Sequence, residues 1–232
     1  MKNFIFLLFT TLLVSSCSHI TGSGNIVTEQ RNTGAFTKVI TSSGFEVEIK
    51  KGDAINVTVE ADDNIIKKII TEADNGVLRI KLNVSNVQDA HLKVYITAPG
   101  INSISASSGS DVTVKDTLKN SSEINLEASS GATISSYVDA PTITANTSSA
   151  GEISVKGRTK NFNAESSSGA TINALELLTE NTTATVSSGA DARVQSSVSL
   201  TANASSGGSI HYKGGGGNVK INTSSGGSVN KE

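Results

Sequence analysis

The chain has 232 residues but contains no Trp, two Pro and one Cys, and only 4% of its residues are aromatic. A single Cys has no partner for an intrachain disulfide. A formal net charge of −2 and a pI near 6.0 exclude a strongly basic protein of the kind that binds nucleic acid. Abundant Ser and Gly with modest hydrophobicity would also suit a disordered chain, so a fold must be argued from a regular pattern.

That pattern is a phrase of Ser-Ser-Gly followed by a small residue and, with one exception, Val or Ile. Copies begin at Ser107, Ser129, Ser148, Ser167, Ser187, Ser205 and Ser224, and an outlying copy begins at Ser42. Between Gly109 and Gly226, successive third positions are 22, 19, 19, 20, 18 and 19 residues apart. A period of this size is typical of stacked repeats, each of which buries its apolar face only against its neighbours.

Apolar and polar positions alternate on both sides of each Ser-Ser-Gly phrase, which is the period of a β-strand. Three positions relative to the third residue are mainly apolar. Seven before it stand Ile124, Ile143, Phe162, Thr182, Leu200 and Val219; five before it, Leu126, Ala145, Ala164, Ala184, Ala202 and Ile221; three after it, Val112, Ile134, Ile153, Ile172, Ala192, Ile210 and Val229. A disordered linker has no reason to keep such columns in register.

The sequence therefore predicts an all-β protein, a single-stranded parallel β-helix (β-solenoid) with coils of about 18–22 residues. Each coil has short strands on either side of a Ser-Ser-Gly corner, where Gly allows backbone angles that a Cβ disfavours. A strict six-residue sub-repeat would favour a left-handed helix, and none is present. The chirality of connections between parallel strands favours the right-handed form.

The N-terminal residues predict export and lipidation. One Lys precedes an apolar run from Phe4 to Val14, which is too short for a stable membrane span and is typical of a secretory signal peptide. The run ends in Val-Ser-Ser-Cys, which resembles a bacterial lipobox, and Cys17 has no disulfide partner. We expect residues 1–16 to be a lipoprotein signal peptide, Cys17 to carry the lipid, residues 17–34 to form the lipidated N-terminus and tether, and residues 35–232 to form the β-solenoid. The alternative is an ordinary signal peptide followed by an unrelated Cys.

The N-terminal part of the predicted solenoid is irregular. Gly44 and Gly109 are 65 residues apart, the length of about three coils. Within this interval INVTVEA, VLRIKLNV and HLKVYIT alternate like strands. Between the first two, Ile65, Ile66, Ile69 and Ile70 fall on one helical face, followed by a turn at Asn75-Gly76. We expect a short amphipathic insertion that covers one end of the solenoid, since terminal repeats are usually atypical.

Several of these segments resemble the head GIN domain family of auto-transporter adhesins. The resemblance runs from about Gly24 to the C-terminus. It rests on GSGNIVTEQRNTGAFTKVITSSGFEVEIKKGD, VEADDNIIKKI, DNGVLRIKL and VYITAPGINSISASSGSDV. It implies a right-handed β-helix related in shape to pectin lyases, an adhesive role and no established catalytic residues. The chain differs from many members in reading Ser-Ser-Gly where they read Ser-Gly-Ser-Gly.

No cluster of residues suited to catalysis or metal binding is evident. The position two after the third corner residue holds a column of acids and hydroxyls, Asp111, Thr133, Glu152, Thr171, Asp191, Ser209 and Ser228. Asp111 and Glu152 are two coils apart, roughly 10 Å, which is too far for a carboxylate dyad. Arg158 and Arg193 fall in different columns, and His19, His91 and His211 lack metal-ligand spacing. We therefore predict no catalytic residue, no metal and no cofactor.

Two classes of function remain open. The chain is a lipid-anchored protein of the cell envelope, in a bacterial outer membrane, that binds a surface glycan or protein without turnover, or it is a passive envelope scaffold. A polysaccharide-active enzyme is the weaker third interpretation. The expected ligand-binding columns include Asn146, Asn203 and Asn222, and the ligand is unknown. At the other end, GGSVNKE leaves a strand without a following coil, so Lys231 and Glu232 either protect that edge or lie in a weak homodimer.

Overall fold

Residues 19–214 and 216–232, which the computed structural model describes, form twenty-one β-strands and one turn of 3-10 helix (Ile66–Lys68). The strands of the irregular N-terminal part are β1 (Ile20–Thr21), β2 (Ile26–Arg31), β3 (Lys38–Thr41), β4 (Glu46–Lys51), β5 (Asn56–Asp62), β6 (Ile69–Asp74), β7 (Val77–Leu82), β8 (Val87–Gln88) and β9 (Leu92–Ala98). The strands of the repeats are β10 (Ser103–Ala106), β11 (Asp111–Lys119), β12 (Glu123–Ser129), β13 (Thr133–Ser148), β14 (Glu152–Ser166), β15 (Thr171–Asn173), β16 (Leu177–Val186), β17 (Asp191–Ser196), β18 (Ser199–Ala204), β19 (Ser209–Gly214), β20 (Asn218–Thr223) and β21 (Ser228–Lys231).

The repeats stack as the sequence predicts, with parallel strands in register from coil to coil. On the side before the corner, Leu126 pairs with Ala145, which pairs in turn with Ala164. On the side after it, Ile134 pairs with Ile153, and the next coil contributes Ile172. The prediction of a parallel β-solenoid with an irregular N-terminal part is confirmed; its right-handed sense stays a prediction from the chirality of parallel connections.

Each Ser-Ser-Gly corner is a tight turn with two consecutive residues in the left-handed region, the arrangement of a type I′ turn. At the first regular corner Ser108 has φ +53° and Gly109 has φ +72°, and the N–H of Ser110 donates to the carbonyl of Ser107. One corner has no Gly in the third position, and there Ala150 takes φ +60°. Left-handed backbone is unfavourable for residues with a Cβ, so this corner carries a conformational cost that its neighbours lack.

The corners are joined to one another along the whole solenoid. In each of seven steps, the N–H of the third corner residue donates to the carbonyl of the second Ser in the next coil. The first of these bonds joins Gly44 to Ser108, and the last joins Gly207 to Ser225. The donor–acceptor distances lie between 3.0 and 3.2 Å. Ala150 takes part through its bond to Ser168 at 3.1 Å, so the missing Gly changes the energy of that corner without breaking the ladder.

The inward columns form the core. The buried members of the three predicted columns are Val112, Ile124, Leu126, Ile134, Ile143, Ala145, Ile153, Phe162, Ala164, Ile172, Thr182, Ala184, Ala192, Leu200, Ala202 and Ile210. In the last coil Val219 and Ile221 remain 37% and 46% exposed, because no further coil covers them. The hydrophobic contribution of each coil therefore depends on a neighbour on both sides.

The N-terminal part corrects two predictions. The segment after Asp62 is not an amphipathic helix: it makes one turn of 3-10 helix and continues as β6, which pairs antiparallel with β7 across the expected turn at Asn75-Gly76. Ile65 and Ile66 are buried. The interval between Gly44 and Gly109 is also not three successive coils, because β3 lies between β7 and β10, and β4 lies between β9 and β11.

An antiparallel cap closes the end of the solenoid that these strands form. β5 pairs antiparallel with β9 on one edge and with β2 on the other. β1 pairs with β8 in a small separate sheet. Part of residues 17–34, which the sequence analysis assigns to the lipidated N-terminus and tether, is therefore strand. No helix among the described residues has the length and apolar character needed to cross a membrane.

Candidate binding surface

The outward columns on the strands before the corners make a continuous polar face. One column runs through Glu127, Asn146, Glu165, Thr185, Asn203 and Asn222, one residue from each successive coil. Neighbours in the column bond to each other: the amide of Asn222 donates to Asn203 at 2.8 Å, and the amide of Asn203 donates to Thr185 at 3.3 Å. Asn146, Asn203 and Asn222, predicted from the sequence as ligand-binding, thus belong to one line parallel to the solenoid axis.

The face after the corners carries the predicted column of acids and hydroxyls. Register pairs Asp111 with Thr133, and Thr133 with Glu152, so the two acids are separated by a full coil that contributes a hydroxyl. Further along the column Thr171 separates Glu152 from Asp191. The alternation keeps the carboxylates apart, as a solvated face requires, and gives no pair able to act as general acid and base.

The basic residues considered for catalysis lie in separate ion pairs. A nitrogen of Arg158 contacts Asp139 at 2.7 Å, and one of Arg193 contacts Asp191 at 3.6 Å. The Arg158 guanidinium holds the pKa of the Asp139 carboxyl below its usual range. Both pairs are largely solvated, and solvated pairs contribute little to stability.

The histidines are equally dispersed. His19 is exposed near the N-terminal boundary of the described residues. His91 lies 2.7 Å from Glu60 in the cap, while His211 lies 3.7 Å from Asp191 near the opposite end. Within the described ranges, no three His, Cys, Asp or Glu side chains are grouped in a way that could hold a metal ion.

The predicted lipid-bearing residue, Cys17, lies outside the described residues. The chain that follows is held tightly at the cap. The buried carboxylate of Asp62 accepts hydrogen bonds from the backbone N–H of Gly24 at 2.7 Å and of His91 at 2.8 Å. Asp63 accepts bonds from the Ser23 hydroxyl at 2.6 Å and from the Asn25 amide at 2.8 Å. The segment after residue 19 is thus fixed to the end of the solenoid formed by the cap strands.

A groove on the third side of the coils was not identified from the sequence. This side contains residues 137–140, 156–159 and 177–179. In each coil it lies between the strand that follows one corner and the strand that precedes the next corner. The groove, here called the side groove, has a volume of about 700 Å³ and crosses five coils; its lining includes Asn120, Asp139, Pro141, Arg158, Lys160, Leu178, Glu180 and Gln195. The sequence signal for it was Leu178, an apolar residue at an outward position. Leu178 lies outside the positions around the corners at which the repeats were aligned.

These features define a repetitive solenoid that displays polar columns and the side groove. The model for the family described as "Putative auto-transporter adhesin, head GIN domain" matches residues 35–216, and the chain belongs to this family. Among proteins with curated functions, none matches the chain.

Solved structures from Bacteroides and Parabacteroides have the same fold. The chain is similar to a putative adhesin from Bacteroides fragilis NCTC 9343, with 18% identity, a TM-score of 0.84, and coverage of 92% of this chain and 100% of that one. It is also similar to two Parabacteroides distasonis ATCC 8503 proteins, described as a putative lipid binding protein (TM-score 0.76) and a putative adhesin (TM-score 0.73). Each is 19% identical, with coverage of 93% of this chain and 100% of theirs. At these identities the similarity establishes the fold alone.

Proposed function

We propose that the protein is a lipid-anchored, non-catalytic binding protein of the bacterial cell envelope, which holds an extended surface macromolecule against its repetitive outer surface. The observation that carries this proposal is the unbroken register of outward polar side chains, such as Asn146, Thr185 and Asn203, along the solenoid. A ligand with its own repeat can contact many coils at once. Contacts that are weak singly then add to a usable avidity.

The separation of the carboxylates along the column of acids and hydroxyls supports binding without turnover. Polysaccharide cleavage needs carboxylates that act together or a base beside several acids. Here Asp111 and Glu152 are kept apart by Thr133, and Arg158 and Arg193 are each paired with a single acid. The family's description as an adhesin domain agrees with a binding role.

Anchoring through Cys17 would place the cap end close to the membrane. Only residues 18 and 19 separate Cys17 from β1, which is paired with β8 in the cap. The polar columns run away from the cap along the stacked coils, so most of their length would be available to a ligand outside the membrane. We propose the outer membrane as the location of this anchor; the lipobox-like sequence supports lipidation, and the family's description as an adhesin domain supports a place in the cell envelope.

The test is binding of the detergent-solubilised full-length protein to an array of bacterial and host glycans, and adhesion of cells that carry it. We expect glycan binding or cell adhesion that depends on the folded protein. Failure to bind any glycan, protein or cell surface would favour a passive scaffold. Release of unsaturated sugars from a polyuronate, abolished by replacing an acidic residue such as Glu152, would instead establish an enzyme.

A further inference from the structure

The side groove differs in chemistry from the two corner faces. Those faces present mainly Ser, Thr and Asn, whereas the groove contains Leu178, a residue that is 60% exposed. Of the six large apolar residues that are exposed in the described part of the chain, Leu178 lines the groove. Two others are close to lining residues in the sequence: Tyr137 stands two residues before Asp139, and Val198 follows Ser197. A local concentration of exposed apolar surface in a polar protein marks a binding site.

The groove also offers hydrogen-bonding groups in ordered rows. Asp139, Arg158 and Leu178 are register partners on three successive coils, so a carboxylate, a guanidinium and an apolar side chain follow one another along the axis. Lys160 and Glu180 line the same groove at outward positions two residues further along their strands. Because its lining contains two cations, Arg158 and Lys160, and two anions, Asp139 and Glu180, the groove is electrically balanced.

The shape of the groove specifies an extended occupant. It begins at Asn120 and ends at Gln195 and Ser197, which belong to the first and last of the five coils that it crosses. With strands of neighbouring coils about 4.8 Å apart, four steps give a length of roughly 19 Å parallel to the solenoid axis. A linear chain of several sugar units fits this length, while a single sugar would occupy only part of it.

We propose that the side groove is a binding site for an uncharged linear glycan, which lies along the solenoid axis. This inference rests on the proposed function and names its site and ligand class. The apolar faces of sugar rings pack on Leu178, while sugar hydroxyls bond to Arg158, Asp139 and Glu180, which combine donor and acceptor capacity. The balanced charge gives no advantage to a polyanion, so an uncharged chain is preferred to a polyuronate.

The full chain is titrated calorimetrically with linear oligosaccharides of glucose and of N-acetylglucosamine, each with two and four units, and with a four-unit oligogalacturonate. We expect an uncharged four-unit chain to bind about tenfold more tightly than its two-unit form, and the oligogalacturonate to bind no more tightly. Leu178→Asn and Arg158→Ala should each weaken binding by about tenfold.

Matched controls separate the groove from the rest of the surface. Ile26→Asn removes an exposed apolar side chain in β2, and Arg193→Ala removes an arginine that is also paired with one acid on another face. Both should bind as the wild type does. Asn146→Ala tests the polar column, and thermal melting of all variants checks that each is folded.

Three results would overturn the assignment. If Asn146→Ala weakens oligosaccharide binding while Leu178→Asn and Arg158→Ala do not, the ligand lies on the polar face and the proposed function stands without the groove. Tighter binding of the oligogalacturonate contradicts an uncharged ligand. If no oligosaccharide binds but cells carrying the protein still adhere to a surface, only the groove assignment fails. If neither oligosaccharide binding nor cell adhesion is observed, the proposed function fails as well.

Discussion

The backbone N–H of Gly44 donates to the carbonyl oxygen of Ser108 at 3.0 Å, although 64 residues separate them in the sequence. The bond joins two neighbouring corners of one ladder. The chain between them leaves the stack after β4, builds β5 to β9 on the cap side, and returns on the opposite side as β10 and β11. The first coil in the sequence is thus an interior coil of the solenoid.

Replacement of Ala150 by Gly should stabilise the protein. Ala150 has φ +60°, a conformation that costs a residue with a Cβ about 1–2 kcal/mol. After the greater flexibility of Gly in the unfolded chain is subtracted, a net gain of about 0.5–1 kcal/mol is expected in urea unfolding. Gly169→Ala is the matched reverse change, because a Cβ at Gly169 meets no atom within 4 Å and its φ is +69°. Equal stability of both variants and the wild type would show that the corner angles do not limit stability.

Replacement of Ile153 by Asp should unfold or strongly destabilise the solenoid. Ile153 is fully buried between Ile134 and Ile172 on the adjacent coils, in a column whose buried members are apolar. An uncompensated carboxylate there should cost at least about 3 kcal/mol. Ser154→Asp, one residue further on and partly exposed, is the control that should change melting little. Near-wild-type melting of the Ile153 variant would contradict the register.

The ion pairs of Glu48 predict a loss of stability in acid. Its carboxylate lies 2.9 Å from Lys50 and 3.4 Å from Lys115, and the hydrogen bond with Lys50 is the main cause that lowers the Glu48 pKa below its ordinary value of 4.5. A lowered folded-state pKa stabilises the protein above pH 4.5, and this contribution disappears as the pH falls through the folded-state value.

Glu48→Gln should therefore melt at a lower temperature than the wild type at pH 7, and the difference should narrow below pH 4.5. Glu152→Gln controls for removal of one surface charge. Melting temperatures recorded between pH 7 and pH 3 provide the measurement. A constant difference across that range would mean that Glu48 acts through its packing and not through its charge.

Replacement of Cys17 by Ala should release the protein from membranes. The several acyl chains of a bacterial lipoprotein hold it stably, whereas one chain gives only marginal binding. Fractionation of cells, with labelled fatty acid to follow the modification, measures both effects. His19→Ala, at an exposed position after the Cys, leaves the lipobox intact and should remain in the membrane fraction. A Cys17→Ala variant that stays with the membrane, together with a wild type that incorporates no label, would disprove lipidation.

Deletion of residues 226–232 should increase self-association. The deletion removes β21, which pairs with β19, and with it Lys231 and Glu232 at the edge of the last coil. Exposed strand edges pair with other chains unless charged residues discourage it. Sedimentation velocity over a range of concentrations provides the test. Decreased self-association would show instead that this end forms a homodimer, and no change would exclude both interpretations.

The regular half of the fold was predictable from the sequence because its pattern is local. Ile134, Ile153 and Ile172 recur at fixed distances from their corners, and the observed strands pair them directly. The cap was not predictable in this way. The spacing of Ile65, Ile66 and Ile69 suits a helical face, but Ile69 begins a strand because β7 is available to pair with β6. Tertiary pairing overrode the helical pattern.

The order of the coils and the side groove were missed for related reasons. Counting residues between Gly44 and Gly109 gives a length but does not tell on which side of a coil the next strand is added. The groove depends on Leu178 and Arg158 becoming register partners, and that pairing lies outside the aligned corner region. A lipid at Cys17 and a ligand along Asn146, Asn203 and Asn222 stay predictions.

The interior position of the first coil affects how the chain can fold. An emerging chain completes β4 at residue 51, but the strand that covers one edge of it, β9, ends at residue 98, and the strand that covers the other edge reaches Val114. Until β9 has been added, both edges of β4 lack a strand partner. Its partners are distant in the sequence, and contacts between distant residues slow folding. Folding from the N-terminus, coil by coil, therefore cannot start with this coil, because both of its edges are covered only when Val114, about halfway along the chain, has been added.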